Sequence, residues 1–287
     1  MADLNTWSDV SSIAQRIESD AYFIVREMSQ LQKLVTVFDD RSGMNLRRGY
    51  KYNAGTVVAI GDEDDLTSSA FTPSADQTLT PAEFGLQFFV TDARAESDLP
   101  EQIITDAAKE LGYAALDKVE SDLANEFENL TGGSIGTAAS TITWKHVAAG
   151  IAKARVANKS ATKPLVCVLH GNQWAVLAST ASIAGASVSV APGFQEEITR
   201  TGKVGMFMGV PIYQCFQTNA ASDDFYCGIF PKEAIAIDWR RPIRIRPERD
   251  ESRRGWEFNM SMIYDTGVWR PDLGVWVLDD ATAPTGA

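Results

Sequence analysis

Four consecutive carboxylates, Asp62, Glu63, Asp64 and Asp65, follow directly on the β-favourable run GTVVAI (55–60). Carboxylates are hard oxygen donors, so the first chemistry they suggest is cation binding. Adjacent side chains on an extended chain point to opposite faces, however, and four in a row do not converge on one ion without a special turn. They also lack the alternating ligands and the glycine of a calcium loop. A solvated tip, or a docking point for another chain, suits the spacing better. His146 and His170 are the only histidines, and His170 closes the apolar run PLVCVLH ahead of a helical pattern, a place for a general base. No GxSxG nucleophile elbow accompanies it. Gly202-Lys203 resembles a phosphate loop only superficially, since Val204 takes the Ser/Thr position and Glu197 that of the first glycine. Cys167, Cys215 and Cys227 are odd in number, far apart and set in apolar runs. That pattern fits buried free thiols in a reducing compartment and no zinc site. No catalytic set, metal or cofactor is expected.

Charge narrows the alternatives. Arg240, Arg241, Arg244, Arg246, Arg249, Arg253 and Arg254 cluster in one segment, but Glu248, Asp250 and Glu251 are interleaved and no aromatic stacking ladder accompanies them. A nucleic-acid surface is less compensated than this. Guanidinium forks suit bidentate carboxylate contacts, so ion pairing between subunits is the better reading. With Arg47, Arg48, Lys51 and the four carboxylates, these arginines form the candidate subunit-contact set. The net charge of −12 opposes general attraction to nucleic acid or an anionic membrane. The start MADLNTWSDV has neither a basic nor an apolar region, so no secretory signal is expected. No apolar run is long enough to span a bilayer.

The elements that must position these residues follow from periodicity. Of the 287 residues, 45% are hydrophobic, enough for one large or two small cores. Val10, Ile13, Ile17, Ala21, Ile24, Val25 and Met28 predict an amphipathic helix over 8–31. Alternation predicts strands over 51–60 and 78–90, and the polar segment 61–77 between them reads as an arm leaving the globule. Asp98 with Glu101 makes a capping box, and Pro100 suits a first turn. A four-residue apolar series from Leu99 through Leu111, Val119 and Leu123 to Leu130 then predicts one helix over 98–131, roughly 50 Å long. A second helix is predicted over 143–157, a strand over 164–170 and a helix over 171–180. A small-residue loop follows at 181–193, then apolar runs at 204–216 and 225–237, and mostly strand over 240–278.

This order of elements, with PLVCVLHGNQWAVL (164–177), VGMFMGVPIYQC (204–215), GIFPKEAIAI (228–237) and WRPDLGVWVLDD (269–280), resembles the major capsid proteins of tailed double-stranded DNA bacteriophages. The resemblance covers essentially the whole chain and implies the α+β Hong Kong 97-type fold. It implies an N-terminal arm (1–43), an extended E-loop hairpin (44–92) and a peripheral domain with its spine helix (93–139). An axial domain (140–238), further peripheral strands (239–268) and an axial return strand with the C-terminus (269–287) complete the expected division. The implied function is structural: many copies assemble as hexamers and pentamers into an icosahedral head around double-stranded DNA, without sequence-specific binding and without a membrane. Portal, scaffolding and decoration proteins are the implied further partners, the virion the location, and the bacterial cytoplasm the place of assembly. Met1 opens the arm, so scaffolding is expected from a separate protein. Some relatives cross-link through an E-loop lysine, an asparagine and a glutamate. Here Lys51 sits near the loop's base, Asn259 is a candidate partner, and the residues just before Trp269 offer only Asp265, so cross-linking is not expected. An encapsulin-type cargo shell is the alternative within the fold. A cytosolic hydrolase using His170 is the alternative outside it.

Overall fold

The computed structural model describes residues 30–39, 46–52, 57–60, 62, 68, 70–93, 100–159, 163–182 and 205–283. The helix predicted over 8–31, the capping-box residue Asp98, the loop 183–193 and Gly202-Lys203 lie wholly or almost wholly outside these residues, as do Glu63, Asp64 and Asp65.

One turn of helix, α1 (Leu31–Leu34), leads into β1 (Thr36–Asp39). The strands β2 (Arg47–Tyr52) and β3 (Pro73–Leu79) pair antiparallel with each other and with no other described strand. After them come β4 (Ala82–Thr91), α2 (Pro100–Asn125), β5 (Ser134–Gly136), α3 (Trp144–Ala157), β6 (Val166–His170) and α4 (Gly171–Ser182). The chain closes with β7 (Met206–Phe207), β8 (Val210–Cys215), β9 (Asp224–Phe230), β10 (Ile235–Asp250), β11 (Gly255–Val268), a 3-10 turn (Pro271–Leu273) and β12 (Val275–Asp280).

Two larger sheets carry the core. The first has the order β1-β10-β11-β4, built on the long β10–β11 hairpin, whose register runs from Ile235 opposite Val268 to Asp250 opposite Gly255. The second has the order β5-β12-β9-β6-β8-β7, with β6 parallel to β8 and β12 parallel to β5. α2 buries Leu111, Ala115, Val119 and Leu123 on one stripe, the four-residue spacing read from the sequence. The Leu31 backbone N–H donates to Glu120 Oε1 at 3.1 Å and Tyr264 Oη to Asp122 Oδ2 at 2.8 Å, tying the helix to α1 and β11. α3 starts as predicted: the extended Thr143 accepts from the His146 N–H through its hydroxyl, satisfying a first-turn donor. Its Gly150 lies against the second sheet so closely that an added Cβ would sit 2.5 Å from Ile229 Cδ1.

Three expectations are corrected. The long helix stops at Asn125, which makes it about 39 Å rather than 50 Å long. Single-turn bonds from Phe127 N–H to Ala124, Asn129 to Glu126 and Leu130 to Phe127 then carry the chain onward. Phe127 and Leu130 stay buried, so the apolar series continued although the helix did not. The strand expected over 78–90 is two strands in different sheets, broken at Thr80-Pro81, where proline has no N–H for a ladder. The strand expected over 51–60 ends at Tyr52, and Val57 to Ile60 is exposed and outside any strand. β propensity measures fit to a pleated, half-buried surface, and the described residues offer that segment none.

Candidate assembly interface

The β2–β3 hairpin is fastened at its base and bare beyond it. The Arg47 guanidinium lies 4.4 Å over the Phe38 ring, with its Nε 3.2 Å from the wholly buried Asp238. Phe38 meets Trp269 edge-on at 5.1 Å. Gly49 gives that indole room, since a Cβ there would approach the ring at 3.2 Å. Lys51 Nζ is 3.4 Å from Asp272, and the Thr80 N–H donates to Asp265 Oδ2 at 2.6 Å. Further out, Val57 is 99% exposed, Val58 64%, Ile60 51% and Phe71 73%. Tyr50 and Tyr52 are exposed too, and Tyr52 stacks flat on Phe71 at 4.6 Å. Large apolar side chains grouped in water mark a surface awaiting a partner. Asp62, the described member of the carboxylate run, is exposed in a turn.

Most of the arginine segment is engaged inside the chain. Arg240 pairs with Asp238 at 2.8 Å, and Arg241 with Glu83 on β4. Arg249 takes Asp92 bidentately at 2.6 and 2.8 Å, and Arg253 meets Glu257 at 3.2 Å while covering the Phe89 ring at 4.3 Å. These four are engaged by carboxylates within the subunit. The β10–β11–β4 ladders bring Glu83 and Asp92 to Arg241 and Arg249 from far along the chain, a proximity that sequence adjacency does not show. Arg48, Arg244, Arg246 and Arg254 are exposed and have no carboxylate within ion-pair distance among the described residues.

Two buried aspartates hold the sheets to their neighbours. Asp238 sits in the apolar run AIAIDW and gathers Arg47 from the hairpin and Arg240 from β10. Asp279 accepts from the Ser140 hydroxyl and lies 3.0 Å from His146 Nδ1. Around Asp265, burial pushes the carboxyl above its usual range, against the lowering effect of the Thr80 N–H, and Asp238 and Asp122 push it up further. Glu126 is likewise raised, chiefly by burial.

Residues 75–277 match the family described as phage capsid protein, most of the chain's length. The chain belongs to that family. No curated protein sequence matches it. Among solved structures, it is similar to that of Mycobacterium phage Che8 at 17% identity and a TM-score of 0.66, covering 90% of this chain and 93% of that one. The mature capsid of bacteriophage PhiM1 is similar at 14% identity and 0.69, covering 89% and 88%. A virus-like particle from Pyrococcus furiosus is similar at 13% and 0.57, covering 92% and 98%. The fold is the Hong Kong 97 type, and the protein is a structural capsid subunit.

The remaining reactive residues of this capsid protein have structural surroundings. In it the carboxylate of Asp279 lies between Ser140 and His146, whereas a nucleophilic triad places the imidazole in the middle. The His170 ring accepts from the Asn172 N–H at 3.3 Å and packs 5.4 Å from Phe225, with burial lowering its pKa. All three cysteines are free and buried, and burial pushes the Cys167 and Cys215 thiols up to about 12, which keeps them protonated and unreactive. Among the described residues no cluster of His, Cys, Asp or Glu could hold a metal, and no helix is long and apolar enough to cross a membrane.

Proposed function

We propose that this capsid protein assembles as hexamers and pentamers into an icosahedral head around double-stranded DNA, with residues 44–92 serving as an E-loop laid over an adjacent subunit. The observation that carries the reading is the exposed apolar hairpin. The two larger sheets and α2 close a core, whereas Val57, Val58, Ile60 and Phe71 remain in water, four of the exposed large apolar side chains among the described residues. Burial of apolar and ion-paired surface between copies then supplies the cohesion.

In this reading residues 1–43 are the N-terminal arm. α2 with most of β10 and β11 belongs to a peripheral domain over 93–139 and 239–268, and most of the second sheet to an axial domain over 140–238 and 269–287, while β1 and β4 fall within the ranges of the arm and the E-loop and β5 within 93–139. The proposed contact set is Arg47, Arg48, Lys51, Arg240, Arg241, Arg244, Arg246, Arg249, Arg253 and Arg254, with Asp62, Glu63, Asp64 and Asp65 as opposite charges. Arg48, Arg244, Arg246 and Arg254 are its exposed members that pair with no described carboxylate. The subunit has no catalytic role. Its net charge of −12 suits a container, because strong attraction to the packaged DNA would oppose packing and ejection. Assembly in the host cytoplasm with scaffolding and portal proteins, and residence in the virion, complete the proposal. An electron cryomicroscopy reconstruction of purified particles tests it. A closed icosahedral shell with 44–92 of each copy lying on a neighbour is the expected result; a hairpin folded back on its own subunit contradicts it.

A further inference from the structure

Charge is unevenly placed along the chain. The net charge is −12, yet no Asp or Glu occurs between Glu128 and Glu196, while Lys145, Lys153, Arg155, Lys159 and Lys163 fall in that stretch. Most of them lie on or just beyond α3, whose exposed stripe is Lys145, Ala149, Ala152 and Val156. Lys163 pairs with Glu233 at 3.0 Å. Lys153 and Arg155 donate to neutral carbonyls, those of Ser134 at 2.7 Å and Met208 at 2.6 Å. With Lys145 and Lys159 they make no ion pair among the described residues. Val156, beside these cations, is 76% exposed.

α2 presents the complementary surface. Its sequence carries six carboxylates against two lysines. Glu110, Tyr113, Asp117 and Glu120 of this helix, with Cys215 and Phe216 at the end of β8, line a groove of about 570 Å³. Tyr113 and Phe216 are its exposed aromatic walls, Phe216 by 73%. Asp117 accepts from the Gln217 side-chain amide at 2.5 Å and Glu120 from the Leu31 N–H, both neutral donors. Glu110 is exposed and has no cationic partner among the described residues.

We infer that the exposed face of α3 in one copy docks on the α2 groove of a second copy, head to tail. Two unlike surfaces of one chain meet only in a heterologous contact, the kind that closes identical subunits into rings. The spacings agree. Lys145 and Lys153 are about 12 Å apart along α3, and Glu110 and Asp117 about 11 Å apart along α2. Setting Lys145 by Glu110 then brings the small Ala149 to Tyr113, Lys153 to Asp117 and Val156 to Phe216, all in one alignment. The contact has the apolar centre and charged rim of a specific interface. A second copy is the occupant because this chain itself carries both the opposite charge and the aromatic walls. A nucleic acid would answer the lysines but not Val156. The inference rests on the shell reading and adds to it a defined pair of surfaces.

Charge reversal tests it. The Lys145→Glu, Lys153→Glu chain and the Glu110→Lys, Asp117→Lys chain should each keep the wild-type circular dichroism melt. Each should raise the threshold concentration for assembly about tenfold or more, since like charges then face each other. The chain with all four changes should return to within about threefold of wild type, a rescue that independent local damage would not give. In a second measurement, Ala149→Cys subunits are co-assembled with Tyr113→Cys subunits under a mild oxidant. The native cysteines are buried, so background is low. Covalent dimers confined to the mixed shells are expected. Intact shells without the cross-link, or a fourfold variant no better than its parents, overturn the docking and leave the shell reading standing. A reversed α3 face that assembles at the wild-type threshold but retains less DNA assigns that face to nucleic acid and overturns it as well. Wild-type protein that forms no particles overturns both readings.

Discussion

Replacing Val57, Val58 and Ile60 together by serine separates folding from assembly. In the subunit these side chains are 99%, 64% and 51% exposed and touch no core, so the melting stability should change by no more than about 0.5 kcal/mol. Burial of a whole Val or Ile side chain is worth about 1.5–3 kcal/mol. Scaled to the fraction still in water, the three residues offer about 4 kcal/mol to an intermolecular contact. Ordering the segment offsets part of this and leaves about 2–3 kcal/mol net. At tenfold per 1.4 kcal/mol, the threshold concentration for assembly should rise about 30- to 100-fold. Sedimentation across a concentration series reads the threshold, and circular dichroism melts of the unassembled fraction read the fold. A wild-type threshold would show that the segment stays solvated in the particle. A subunit destabilised by more than about 2 kcal/mol would show that it belongs to the subunit's own core.

Leu123→Ala, at a wholly buried position on α2, should lower subunit stability by about 2–5 kcal/mol in denaturant titration. Asp238→Ala leaves the Arg47 and Arg240 guanidinium groups without their buried partner, so it should cost about 3 kcal/mol and speed amide exchange in the β2–β3 hairpin. Glu126 has its folded pKa raised by burial, so its favourable contribution is present below the usual carboxylate range and lost as pH rises through the raised value. Glu126→Gln should therefore be more stable than the parent at pH 7, with the difference shrinking as melts are repeated toward pH 4. Changing Asp62, Glu63, Asp64 and Asp65 together to lysine should leave a folded subunit with reduced particle yield, and neutral Asn/Gln replacements should do less harm.

Elements that bury an apolar stripe against the subunit's own core were legible in the sequence. α2 shows its four-residue stripe because Leu111, Val119 and Leu123 meet a core of this chain. Its end was misplaced because Phe127 and Leu130 are buried from turns, and periodicity records burial rather than hydrogen bonding. Pro73–Gln77 of β3 was read as loop because PSADQ carries no alternating apolar pattern, although its backbone pairs with β2. Val57–Ile60 was read as strand because its composition is that of a strand, although among the described residues no strand pairs with it. The arginine segment was visible as a charge cluster, but the pairs with Glu83 and Asp92 depend on strand register. Asp238 and Asp279 were missed, although each follows directly on an apolar run, IAI and VWVL, where a carboxylate in register with the buried face signals a buried partner.

The central claim, that this chain is a shell-forming subunit, is tested most directly by sedimentation velocity of the purified full-length protein across a concentration series. The account predicts a discrete, fast boundary of megadalton mass above a threshold concentration, coexisting with the free subunit and with little material between. A single slow boundary at the 31.3 kDa monomer, or at a dimer of it, at every concentration would contradict it.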